Sequence, residues 1–522
     1  MVLVAAAALL PGLVLWGKAW QTDEPFFLAI AGRILEAPGD PLGFSFNWYG
    51  RSQPMAEINN TPPLFLYLLA GVLKLTGGGE WATRALFFPF DAAAAWGILG
   101  VASYYLKRPL WPTLAVVLGP AWMINLNHAM PERVMAGLAF CSLYALVVGV
   151  EERDGRAYWG AAALAALAIL SKINAVFLLG PGLAWAYSRG VPARRVAWWG
   201  AAALSGLAAG SAWSAWAGGG AGGAVVSATQ DAARLLSFAS SHRARAMMAF
   251  VGGLSPWMAA AAWALRPDRR GAWVAGALSA ALFAPGFDLV AGVSAADRLA
   301  GAVMAAGAVI VVLSLLRGGR TGGRPLWLAW IGAVVVLQWL YWSVLARFIL
   351  FLLPPLAFWA AERLEADRRG GRLWIAATAC GVLLSAACAR VDWLHAESSR
   401  SVVENVVVPA AVSGRRVWCA GHWGLQEYMS RAGARMLDAD RGGWDEVSSG
   451  DLVVVPGANS NVLRPSRPRR ADTRSFAVSS SIPVRLVSGW TGEGGFYSSA
   501  MGFLPWSLST EPVEVMTVVS PN

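Results

Sequence analysis

The sequence predicts a polytopic α-helical membrane protein of about thirteen transmembrane helices, with a small C-terminal extracytoplasmic α/β domain. Three observations predict it. Of 522 residues, 57% are hydrophobic and only 14% charged, against about 25% charge in soluble domains, and mean hydropathy is +0.50. Apolar stretches of roughly 18 to 22 residues, each long enough to cross a hydrocarbon core of about 30 Å, recur as far as Arg390. Beyond Arg390 the composition turns polar. A soluble globular enzyme is excluded.

Spans are expected at about 2–20, 84–106, 109–127, 131–150, 157–171, 173–188, 194–217, 244–265, 272–290, 298–316, 325–345, 347–361 and 373–391. Residues 1–20 lack a basic leading segment and a small-x-small cleavage site, so they read as a retained first span. The apolar run 62–77 is ambiguous. If it does not cross, every strongly basic short loop, Lys107–Arg108, Arg194–Arg195 and Arg269–Arg270 among them, falls on the cytoplasmic side. The run is therefore expected to lie in the outer interface, within a long outer loop spanning 21–81.

The expected organisation is a transmembrane catalytic domain over 1–391 and a soluble extracytoplasmic α/β domain over 392–522. In the latter, 416–420 (RVWCA) and 451–455 (DLVVV) read as strands and 423–432 as an amphipathic helix. Gly218–Gly223 reads as a flexible outer loop. The formal charge of +11 is carried by loop arginines, which set topology and imply no nucleic-acid partner. Four cysteines with no CxxC pair imply neither a zinc site nor an intradomain disulfide.

Scarce polar groups gather on the outer face in this topology, and ionisable groups at membrane depth mark a site by default. Asp23 and Glu24 follow the first span; they suit helix capping, or a general base, or a divalent-cation ligand. Glu57, Asn59 and Asn60 precede Pro62–Pro63, and Tyr67 follows in the same run. Glu132 opens a span after Pro131. Lys172 interrupts an apolar run, and Arg347 starts another; both suit phosphate, Lys as a point charge and Arg as a fork. His422 reads as structural.

Together these strings resemble the GT-C glycosyltransferase superfamily, in particular the bacterial lipid A aminoarabinose transferases and protein O-mannosyltransferase-like enzymes. The carriers are Asp23–Glu24, Asn60-Thr-Pro-Pro-Leu-Phe-Leu-Tyr67, Glu80-Trp-Ala-Thr-Arg84, Met130-Pro-Glu132, Leu170-Ser-Lys172, Arg347-Phe-Ile-Leu-Phe-Leu-Leu-Pro-Pro355 and the tail segment Gly421–Tyr428. The resemblance implies a GT-C-like fold in a bacterial inner (cytoplasmic) membrane. The activity it implies is transfer of a sugar from a polyprenyl-phosphate donor to a lipid, glycan or protein acceptor, with inversion. Asp23 and Glu24 are the catalytic candidates, Lys172 and Arg347 would bind donor phosphate, and Glu57, Asn59, Asn60, Tyr67 and Glu132 would line the substrate. A divalent metal ion (Mg, Mn or Zn) at Asp23 is compatible with it. The chain departs from the pattern where aminoarabinose transferases carry Glu-Lys before Pro-Pro: here Asn60-Thr61 stands, so one phosphate-binding Lys is missing. A transporter or lipid flippase with an extracytoplasmic binding domain is the alternative, although no repeated half is visible; a nonenzymatic assembly factor is a third.

Overall fold

The computed structural model describes residues 2–218, 240–265, 269–284, 293–317, 321–365, 370–458, 463, 471–487 and 493–521. Most of the expected glycine loop at 218–223 lies outside them.

Helices dominate up to residue 412. Among the described residues four, Glu80–Tyr105, Pro131–Glu151, Ala295–Arg317 and Gly371–Val412, are long and apolar enough to cross a membrane. A fifth crossing is available if Ser241–Gly253 and Trp257–Ala264, bent by 87° at Ser255–Pro256, count as one. Of the other expected spans, 157–171 and 194–217 appear whole, as Gly155–Ser171 and Ala193–Ala217, and 272–290 runs partly outside the described residues; the rest appear as shorter or broken pieces, and the breaks have local causes. Gly119–Pro120 separates Leu110–Val117 from Pro120–Asn125. Lys172 ends Gly155–Ser171, and the chain continues as a 3-10 turn and a π-helical segment containing Pro181. The start of Leu353–Leu364 carries Pro354, leaving Ala346–Ile349 as a separate turn. Proline removes a helical donor and clashes with the preceding turn, which membrane bundles tolerate where protein surrounds the break.

The ambiguous run forms the helix Pro63–Thr76, of 14 residues. At about 1.5 Å per residue it reaches roughly 21 Å, too short to cross about 30 Å alone.

Helix Pro131–Glu151 packs between Phe88–Tyr105 and Gly155–Ser171. Small residues permit this closeness: a Cβ on Gly97 would stand 2.5 Å from the Phe140 carbonyl carbon, and one on Gly206 would stand 2.1 Å from the Ala166 oxygen. Without water to expel between helices, such backbone approach is how apolar bundles gain contact.

The tail contains a five-stranded mixed sheet in the order Arg435–Met436, Val417–Cys419, Leu452–Val455, Glu514–Pro521, Ala471–Val478. The first three strands are parallel and the last two pair antiparallel. The expected strands and helix occur at Val417–Cys419, Leu452–Val455 and Trp423–Arg431. Asp451 ties strand ends together, accepting from Trp418 Nε1 at 2.9 Å and Arg416 Nε at 3.0 Å. The boundary expected at 391/392 falls inside the helix Gly370–Val402, and the sheet starts only at Val417. The polar residues after Arg390 continue that helix because they have partners: Asp392 pairs with Lys18, and Arg400 with Glu397 and Glu80.

Candidate active site

Four residues separated widely in sequence meet in one cluster. Arg347 Nη1 donates to Asp23 Oδ2 at 2.9 Å. Arg347 Nε lies 3.4 Å from Glu132 Oε1, and Lys172 Nζ lies 3.9 Å from the same oxygen. The latter two are charge contacts without hydrogen-bond alignment, and neither Glu132 oxygen has a hydrogen-bond partner although the side chain is 2% exposed. An unsatisfied buried carboxylate is costly, so it marks a site able to take donors from a ligand.

Each member is placed by a break in a helix. Met130 is extended and Pro131 opens the helix carrying Glu132. Lys172 follows the last residue of Gly155–Ser171 in an extended conformation, and Ser171 Oγ donates to the Pro131 carbonyl at 3.2 Å, joining the two breaks. Arg347 occupies the single turn Ala346–Ile349. Thr22, just before Asp23, has φ +52°. A β-branched residue in that region costs about 1–3 kcal/mol, so the neighbouring contacts must enforce the turn.

The turn sends adjacent carboxylates to different environments. Asp23 is 31% exposed, facing Arg347. Glu24 is fully buried: Arg84 donates to it through Nε at 3.0 Å and Nη2 at 2.7 Å, and the backbone N–H groups of Ala129 and Gln21 donate at 2.7 and 2.9 Å. Burial alone would raise the Glu24 carboxyl, but Arg84, with His128 beside it, holds it well below the usual range. With its oxygens so occupied, Glu24 anchors the turn through Arg84 and two backbone N–H groups, while its neighbour Asp23 meets Arg347.

The other expected substrate groups stand apart. Asn59 closes a local turn, accepting from Thr61 N at 3.0 Å and donating to the Thr61 carbonyl at 3.1 Å; such Asx turns lead into helices. Glu57 and Asn60 are exposed, and Tyr67 donates to the Pro38 carbonyl at 3.2 Å on the surface. The hydrogen bonds of Asn59 and Tyr67 are thus local to the start and outer face of Pro63–Thr76.

A second buried network escaped the sequence reading. Lys18 Nζ donates to Asp392 Oδ2 at 2.5 Å and to His128 Nε2 at 3.1 Å, and Tyr497 also donates to Asp392. Burial, with Lys18 adjacent, keeps His128 below its ordinary value and hence neutral at pH 7. Nearby, Gln21 meets His395 at 2.7 Å and His395 meets Glu514 at 3.3 Å. The available signal was the rule that charges at the ends of apolar stretches require partners.

Among the described residues no three His, Cys, Asp or Glu side chains gather as a metal site. Asp23 and Glu132 are the carboxylates of the cluster, and Arg347 lies between them with Lys172 alongside. Two carboxylates neutralised by two cations are a poor donor set for a divalent ion, which would have to displace Arg347.

Residues 60–216 match the family model described as dolichyl-phosphate-mannose-protein mannosyltransferase. The resemblance to GT-C membrane glycosyltransferases read from the motifs thus holds in a second comparison, over that part of the chain. No curated protein matches the chain. Among solved structures it is similar to ArnT from Cupriavidus metallidurans in the apo state (14% identity, TM-score 0.40, 87% of this chain and 92% of that one). It is likewise similar to the same protein bound to undecaprenyl phosphate (15%, TM-score 0.40, 88% and 92%). A third likeness is to the arabinofuranosyltransferase AftD from Mycobacteria (15%, TM-score 0.43, 100% of this chain and 40% of that one). At these TM-scores no residue-by-residue correspondence follows.

Proposed function

We propose that the protein transfers a sugar from a polyprenyl-phosphate donor to an acceptor at the extracytoplasmic face of a bacterial cytoplasmic membrane. The observation that carries the reading is the meeting of Asp23, Arg347, Glu132 and Lys172. The matched family's description, which names a sugar carried on a lipid phosphate, supports the same donor class.

The reaction needs a base for the acceptor and positive charge for the leaving group. The acceptor oxygen or nitrogen attacks the anomeric carbon, whose bond to the phosphate oxygen breaks, and the electron pair leaves with the lipid phosphate. Asp23 takes the acceptor's proton. Lys172 and Arg347 stabilise the charge appearing on the phosphate. Glu132, buried and short of donors, accepts hydrogen bonds from sugar or acceptor hydroxyls. Single displacement inverts the anomeric centre. A divalent ion is not needed for any of these roles. Glu24, through Arg84, positions the loop that carries Asp23.

Purified protein given a polyprenyl-phosphate sugar and acceptor should release polyprenyl phosphate, and Asp23→Asn should lower kcat by about 10²-fold or more without altering the thermal midpoint. Wild-type turnover in Asp23→Asn removes Asp23 from the chemistry. A transporter instead would move the lipid across vesicles and release no polyprenyl phosphate.

A further inference from the structure

Both sides of the Asp23–Arg347 contact are gripped by the C-terminal tail. On the Asp23 side, the Trp20 N–H donates to Tyr428 Oη at 2.8 Å, and Tyr428 donates to Glu80 at 2.8 Å. Gly424 lies so close to the same residue that a Cβ there would stand 1.9 Å from the Trp20 carbonyl oxygen. Trp423, next to Gly424, has φ +57°. On the Arg347 side, Ala346 N donates to the Phe496 carbonyl at 3.1 Å. Val344 N donates to Ser499 Oγ at 3.0 Å, and Ser499 N donates back to the Val344 carbonyl at 2.9 Å.

We propose that the tail is a two-point clamp in which Gly424 and Tyr428 seat the Trp20–Asp23 turn while Phe496 and Ser499 seat Val344–Arg347, fixing the catalytic carboxylate against its cation. Tyr428 and Ser499 are then positioning residues, and the role rests on the transferase reading for its catalytic consequence. The clamp itself is independent of that reading. Its bonds to backbone segments 150 to 408 residues away would be an unusual use of a domain that only bound a partner. Positional error of about 1 Å is enough to cost orders of magnitude in rate.

The test uses the full chain in lipid nanodiscs, with Tyr428→Phe and Ser499→Ala as mild variants and Gly424→Ala as a severe one. Trp418→Phe, which removes a bond to Asp451 within the tail sheet, is the control for general loss of tail stability. Hydrogen exchange is read on peptides covering 18–24 and 343–347. Tyr428→Phe is expected to speed exchange at least tenfold in 18–24, and Ser499→Ala likewise in 343–347, with Trp418→Phe leaving both unchanged. In turnover, each mild variant is expected to lower kcat at least tenfold with donor KM within twofold, and neither should lower it further in an Asp23→Asn background. Unchanged exchange in both mild variants, or equal acceleration in Trp418→Phe, overturns the clamp whether or not the protein is a transferase. Accelerated exchange with wild-type kcat overturns its positioning role. Absence of turnover in the wild type counts against the transferase reading alone, because exchange still decides the clamp.

Discussion

Replacing Glu24 by Gln tests the anchoring of the Thr22–Glu24 turn most directly. The carboxylate accepts two hydrogen bonds from Arg84 and one each from the N–H groups of Ala129 and Gln21, all between 2.7 and 3.0 Å and out of contact with water. Every neighbour is a donor, so the amide nitrogen of Gln would face a donor in either orientation. The guanidinium would also lose its counter-charge. Breaking a buried ion pair from one side costs about 3–5 kcal/mol. Glu24→Gln and Arg84→Gln are each expected to lose about that much in a reversible denaturant titration in mixed micelles. The double variant should lose less than the sum, with a coupling energy above about 2 kcal/mol. The pH dependence has a definite sign. Because the folded-state pKa of Glu24 is depressed, its stabilisation is complete above the unfolded value of about 4.3 and is lost as pH falls below it; Glu24→Gln should flatten that acid limb. A Gln variant within about 1 kcal/mol of wild type but inactive would refute the anchoring argument and return Glu24 to the chemistry.

Two further outcomes follow from the cluster and the charge pattern. Lys172→Ala should raise donor KM about tenfold, equivalent to about 1.4 kcal/mol of lost phosphate binding, while acceptor KM stays constant; an unchanged donor KM in steady-state kinetics would place the phosphate elsewhere. Arg108→Cys should resist a membrane-impermeant thiol reagent applied to intact cells and react after the membrane is opened, since Arg108 lies in a basic loop assigned to the cytoplasm; labelling from outside would reverse the sidedness.

Lys172, Arg347 and Glu132 stood out in the sequence because each interrupts or opens an apolar run, where a charge is expensive and therefore conspicuous. Their convergence was expected from topology and is present in the structure, as is the short sheet in the tail, whose strands carry the local pattern. What the sequence concealed are pairings that depend on tertiary contact. Glu24 meets Arg84 sixty residues away, Lys18 meets Asp392 across 374, and nothing near either position announces its partner. For the same reason the polar turn at Arg390 read as a domain boundary: a change in composition records a change of neighbours, and here the new neighbours are polar while the helix continues. Many breaks within the apolar runs were equally hidden, since Pro and Gly mark where a helix can bend and packing decides where it does.

The adjacent acids Asp23 and Glu24 show how far such reasoning can separate identical chemistry. In sequence they are interchangeable, two carboxylates after an apolar span. Thr22 in a left-handed conformation turns the chain so that one enters a closed set of four donors and the other reaches Arg347 at the edge of the cluster. A group already holding four donors is a poor base because accepting a proton would break its bonds to Arg84 and the backbone. Its neighbour is 31% exposed and is held by Arg347. The different surroundings of the two acids thus follow the turn, and the residues before it are held by Tyr428, which accepts from Trp20 N, and by His395, which meets Gln21.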